Sequence, residues 1–225
     1  ILIGEVETPF TEFDRLHVRP SGVVATAGSP DGPTVLVRLD PETLALAGVL
    51  RRTSSIALDQ ASMSLPEAID FTSTDGRIAH ALYYPPRNPW FVAPDADLPP
   101  LMVVSHGGPT SNASSALDLG IQFLTSRGIA VVDVDYGGST GYGREYRRAL
   151  DGAWGIVDVD DCIAAASFLV ERGDVDPERL AIKGRSAGGF TPLAALVRSD
   201  RFSAGISAFG VGDLEALARA THKLE

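Results

Sequence analysis

Leu180-Ala181-Ile182-Lys183-Gly184-Arg185-Ser186-Ala187-Gly188-Gly189 reads as an apolar strand, a G-x-S-x-G turn and the opening of an Ala/Leu-rich helix. That order sets a serine on a tight strand-to-helix bend, with its hydroxyl above the edge of a sheet and a helix N-terminus beneath it. Gly184 and Gly188 answer a steric need, because the bend brings backbone segments too close for a Cβ. A bare G-x-S-x-G carries little information. A strand before it and a helix after it make Ser186 a candidate nucleophile.

The surrounding rhythm is that of an α/β protein. Leu101-Met102-Val103-Val104 is a continuous apolar strand, Ser115–Ser126 reads as helical, and Ile129–Val134 is the next strand. Ile156, Val159, Ile163, Ala166 and Val170 recur at helical spacing, and Arg172-Gly173 ends that helix. After the 180–183 strand come a helix from Phe190 to Val197, with Pro192 in its first turn, and a strand over Ala204–Ala208. Strands alternating with helices predict a parallel sheet covered on both sides. Ile69–Thr72 and Ile78–Tyr84 flank Thr74-Asp75-Gly76 as a hairpin, and Pro85–Pro100 is a loop. The first sixty residues differ: four short β-type runs, around residues 15–18, 23–27, 34–39 and 44–50, are separated by Pro/Asp/Gly turns. Such a meander cannot bury both faces by itself, so it reads as one β-propeller-like blade or a small β-subdomain packed on the second half of the chain. The expected division is a blade and linker over 1–64 and an α/β catalytic domain from 65 to 225.

Composition bounds the partners. The 225 residues are 44% hydrophobic and 21% charged, with a formal net charge of −10. That balance fits a soluble globular protein and argues against nucleic acid or an anionic membrane as partner. Ile1–Val6 lacks the pattern of a signal peptide, although the chain opens without Met, as if mid-structure. Cys162, the single cysteine, sits in an apolar helical pattern and reads as a buried side chain, with a reducing, cytoplasmic setting favoured.

A serine hydroxyl needs a base, an acid to orient that base, and two donors for the developing oxyanion. The Ala187 amide follows the nucleophile directly. Ser105-His106-Gly107-Gly108-Pro109 leaves an earlier strand and offers glycine amides as the second donor. Gly137–Gly143 is glycine-rich but lacks a phosphate-loop pattern. Asp158, Asp160 and Asp161 sit near a helix start, where the dipole accommodates acids, and no metal or cofactor is expected.

Four motifs in order carry a resemblance: His106-Gly107-Gly108-Pro109, Asp135–Arg144, Trp154-Gly155 with the following aspartates, and Gly184–Phe190, joined by Gly210–Leu214. Over residues 66–225 the chain resembles the prolyl-oligopeptidase-type serine peptidases, in the dipeptidyl-aminopeptidase/acylaminoacyl-peptidase branch. The resemblance implies an α/β-hydrolase domain capped by a β-propeller, a peptide substrate, Ser186 as nucleophile, and the Gly108 and Ala187 amides as oxyanion hole. It also places the acid and base after two later strands, whereas only one strand follows Ser186 here. A literal Ser186-Asp213-His222 triad can be written, but no strand separates its last two members. The expectation is that the triad Asp and His lie outside this chain, with the rest of the protein, including further propeller blades, as its partner. The sheet edge is then expected to be apolar and unpaired. Other readings are an esterase of the same chemistry and a catalytically inert structural piece.

Overall fold

Residues 7–56, 58–94 and 97–220 are described by a computed structural model. Four strands, β1 (Glu12–Arg19), β2 (Gly22–Ser29), β3 (Gly32–Leu39) and β4 (Leu46–Arg52), pair antiparallel in sequence order. The period-2 pattern explains which side is dry: Val23, Ala25, Ala27, Val35, Val37 and Leu39 form one small core, with Phe10 and Phe13 packed against it. The outer strands keep exposed apolar side chains, among them Leu16, Val18, Leu46 and Leu50. The meander expected from the sequence is present.

The second sheet has six strands: β5 (Glu67–Thr72), β6 (Ile78–Tyr84), β7 (Leu101–Ser105), β8 (Ala130–Asp135), β9 (Leu180–Arg185) and β10 (Ala204–Ala208). They lie in the order β10-β9-β7-β8-β6-β5. The β10-β9-β7-β8 block is parallel, whereas the β5–β6 hairpin joins it antiparallel through β6. The sheet is therefore mixed rather than wholly parallel. Helices α3 (Val157–Glu171) and α4 (Phe190–Arg198) cover one face, where Val103, Val132, Val134 and Ile182 meet Val159, Cys162, Ala166, Leu169 and Ala195. The shorter α1 (Leu119–Thr125) covers the other face over β8, seating Ile121 on Tyr84 and Val131.

Three expectations need correction. α1 starts at Leu119, not Ser115, because the Ser115 and Ala116 amides donate to the Glu12 carboxylate while Asp118 caps the helix through Gly120 and Ile121. A six-residue helix, α2 (Gly143–Arg148), follows the glycine-rich loop and carried no periodic signal. Coverage of the sheet is incomplete: on β10, Ala204, Gly205 and Ile206 are exposed, although Leu196 of α4 reaches Gly205. As anticipated, β10 is the sheet edge among the described residues.

Candidate active site

In a parallel sheet, backbone carbonyls and side chains converge at the carboxyl ends of the strands, and ligands bind where successive connections leave in opposite directions. Here β7 connects to β8 on one side, and β8 then connects to β9 on the other side of β7. The crevice between the ends of β7 and β9 is that switch point, and it holds both Gly107 and Ser186.

Ser186 follows β9 directly and opens a short 3-10 turn, Ser186–Gly189, that runs into α4. Its φ is 55° and its side chain is exposed. A non-glycine residue in that region stores strain of the order of 1–3 kcal/mol, held by its surroundings. Those surroundings are tight. A Cβ on Gly184 would fall on the carbonyl of Gly188, and one on Gly188 would fall on the carbonyls of Ser105 and His106. The turn is thus wedged against the end of β7, as the steric reading of its glycines requires.

The Ser105–Pro109 turn meets the elbow at van der Waals distance. A Cβ on Gly107 would stand 3.5 Å from Ser186 Cβ and 4.0 Å from Ala187 N. Neither the Gly108 nor the Ala187 amide finds an acceptor among the described residues. The structure therefore brings Ser186, Gly107 and Ala187 together, with Gly108 next in the chain.

The other candidates divide. His106 does not face the serine hydroxyl as a base would. Its ring stacks on Tyr136 with centroids 4.3 Å apart, Nδ1 lies 2.9 Å from the Gly107 carbonyl, and Nε2 lies 2.7 Å from Ser139 Oγ. Burial holds its pKa below the ordinary imidazole range, so the ring is neutral at pH 7. His80 pairs with Asp70 on the antiparallel hairpin and stacks on Tyr142, and His17 lies on β1. Asp213 accepts from the Glu215 and Ala216 amides as the cap of α5 (Leu214–Ala220). His222 lies outside the described residues, as does the Ile1–Val6 segment. Cys162 is buried, and burial raises its thiol pKa.

The aspartates at the start of α3 do more than meet a helix dipole, which corrects the simpler expectation. Asp158 is fully buried and accepts from the Gly155 amide at 2.6 Å and the Thr191 hydroxyl at 2.6 Å, tying α3 to the first turn of α4. Asp161, also fully buried, accepts from the Gly137 amide at 2.6 Å, Arg77 Nη2 at 2.5 Å and Ser73 Oγ. Only Asp160 stays near the surface, 3.1 Å from Arg198. Sequence reasoning missed these anchors, since a carboxylate's partners lie far along the chain. It also assigned no role to Tyr136 or Asp135, although both fall in a motif it singled out.

A groove of about 1520 Å³ lies elsewhere, at the amino ends of the parallel strands, lined by Trp90, Phe91, Arg127 and Arg179 among others. It contains none of the candidate residues above.

The chain is similar to known proteins. Residues 115–224 match the model of the prolyl oligopeptidase family. A solved puromycin-hydrolyzing peptidase of Mycobacterium tuberculosis superposes with a TM-score of 0.92 at 47% identity, over 97% of this chain and 34% of that one. Dipeptidyl aminopeptidase BIII of Pseudoxanthomonas mexicana is 36% identical over 54% of this chain and 18% of its own length. The acylamino-acid-releasing enzyme of Arabidopsis thaliana is 38% identical over 40% and 12%. The chain thus spans about a third of the solved relative and less than a fifth of the two curated ones. A family match over the elbow half and a near-complete superposition lead to one statement: residues 115–224 of this chain belong to the prolyl oligopeptidase family.

Proposed function

We propose that this chain carries the nucleophile of a serine peptidase that releases amino- or acylamino-terminal units from short peptides. Ser186 Oγ attacks the scissile carbonyl, and the developing oxyanion is held by the amides of Gly108 and Ala187. A base takes the hydroxyl proton and returns it to the leaving amine, with an acid orienting the base. We assign both to residues outside the described ones, because among those no histidine is hydrogen-bonded to Ser186. The four-stranded meander is assigned as one blade of a β-propeller whose exposed apolar strands meet further blades. The reading rests above all on the exposed Ser186 hydroxyl at φ 55°, with Gly107 pressed beside it. Its support from relatives is that those compared include an aminopeptidase, an acylamino-acid-releasing enzyme and a puromycin-hydrolyzing peptidase.

The test is covalent labelling of the intact enzyme by a fluorophosphonate, with kinetics on aminoacyl and acylaminoacyl reporters. Ser186→Ala is expected to abolish labelling and lower kcat by about 10⁴-fold or more. The 225 residues alone are expected to stay unlabelled. Labelling that survives the substitution refutes the assignment of the nucleophile.

A further inference from the structure

Between the oxyanion turn and the core lies one hydroxyl that the proposed chemistry does not use. Tyr136 follows β8, is 1% exposed, and directs its hydroxyl at two backbone carbonyls: His106 O at 3.0 Å and Pro109 O at 2.7 Å. Those carbonyls bracket Gly107 and Gly108. The Tyr136 phenol thus spans the turn from behind and holds both its ends with one shared proton. Its aromatic ring is anchored in turn, on one side by the hydrophobic core and on the other by the stacked His106 imidazole. Ser139 Oγ completes the attachment, 2.7 Å from His106 Nε2 and 2.7 Å from the Tyr136 carbonyl oxygen. The Thr140 amide adds a bond to Ser111 O at 2.9 Å.

The physical need for such a clamp is specific. A glycine pair has the widest backbone freedom of any dipeptide, so its amides point in a fixed direction only if something outside the turn fixes them. An oxyanion donor acts through preorganisation, and an amide that must reorient at the moment of reaction loses much of its effect. Gly108 sits at φ 121°, and the phenol's two hydrogen bonds go to the carbonyls on either side of the glycine pair. A phenylalanine would fill the same core volume but leave both carbonyls without that donor. Burial raises the phenol pKa well above its ordinary value, so the hydroxyl stays protonated at any working pH.

We propose that Tyr136 is a positioning residue for the oxyanion hole, its hydroxyl clamping the carbonyls of His106 and Pro109 so that the intervening glycine amides face the tetrahedral intermediate. This rests on the proposed role of Ser186, and the experiment separates the two. In the intact enzyme, Tyr136→Phe is compared with wild type and Ser186→Ala for kcat, KM and inhibition by an aminoacyl boronate, whose adduct mimics the tetrahedral state. Substrate affinity is measured separately in the Ser186→Ala background. The expected result is a kcat about tenfold lower, less than the 10²–10³ lost with an oxyanion donor itself. Boronate affinity should weaken by the same factor, while KM and substrate affinity stay within about twofold. Amide exchange over residues 105–112 should quicken while α3 stays protected.

An unchanged kcat and boronate affinity in Tyr136→Phe, with wild type still labelled at Ser186, overturns the clamp alone. So does an equal loss of substrate and boronate affinity, which marks a general packing defect. Absence of fluorophosphonate labelling in wild type overturns both readings. If Tyr136→Phe does not fold, Ser139→Ala removes the hydroxyl that seats the His106 ring and the Tyr136 backbone, loosening the clamp's support while sparing the phenol. A smaller fall in kcat and boronate affinity with unchanged substrate affinity is then expected, and no fall in either overturns the clamp.

Discussion

At the scale of the residue, the elbow is governed by exclusion. Gly184 and Gly188 lie where no side chain fits, and the obstructing atoms are backbone, which cannot swing aside. Gly184→Ala is therefore expected to cost about 3 kcal/mol or more, above the usual penalty for overpacking. Urea denaturation reads this directly, and a variant within 1 kcal/mol of wild type (about a fivefold change in the folding constant) contradicts it. Asp133 gives a second prediction at this scale. Its Oδ1 is buried and without a donor among the described residues, and burial raises its pKa to about 7, which Lys183 only partly offsets. In the unfolded chain the same carboxyl titrates near 3.8. Between those values the folded protein holds a proton that the unfolded chain has released, so stability falls as pH rises through that window. The slope from this one group cannot exceed about 1.4 kcal/mol per pH unit. Asp133→Asn should flatten it and be the more stable form at pH 8. Parallel pH profiles for the two proteins would rule this out. The glycine requirement was readable in the sequence, because G-x-S-x-G implies it. The buried carboxyl was not, since Asp133 alternates with valines as a surface residue would.

At the scale of the element, long-range partners override local propensity. The sequence over 115–126 has the composition of a helix, yet its first three residues are drawn off by the meander and the fourth, Asp118, becomes the cap. The Glu12 carboxylate accepts from Ser115 N at 2.5 Å, Ala116 N at 3.3 Å and Ser114 Oγ at 2.8 Å. The Leu117 amide reaches Ser29 O at 2.9 Å. One acid on β1 thus fastens the meander to the chain segment that continues from the Ser105–Pro109 turn. Glu12→Ala is expected to lower stability by about 1–3 kcal/mol, the cost of stranding partly buried amides. Hydrogen exchange over 113–117 should rise while β7–β9 stay protected. No change in that segment would show that Glu12 is a surface contact without consequence. The α3 stripe, by contrast, needed no such help, and its observed bounds fall within a residue or so of the periodic pattern.

At the scale of the whole molecule, the strand order converts scattered motifs into one crevice. The turns after β7, β8 and β9 are far apart in sequence, yet the order β9-β7-β8 sets their ends side by side. The same sheet leaves β10 with Ile206 exposed, and Val197 on α4 and Phe209 after β10 are exposed as well. Such an edge invites association. The 225 residues by themselves are expected to self-associate, and Ile206→Lys should raise the monomeric fraction in sedimentation. Monomeric behaviour of the unmodified chain at high concentration would contradict this. The sequence alone determined what depends on neighbours in the chain: the elbow, the helix stripe, the meander and the turn glycines. Each is set by steric exclusion or by a period of two or 3.6 residues. Tertiary structure alone decided which strands adjoin, which aspartates are buried anchors, and that Tyr136 reaches back across the Ser105–Pro109 turn. Those depend on hydrogen bonds and packing between residues up to a hundred positions apart, where no local pattern records the partner.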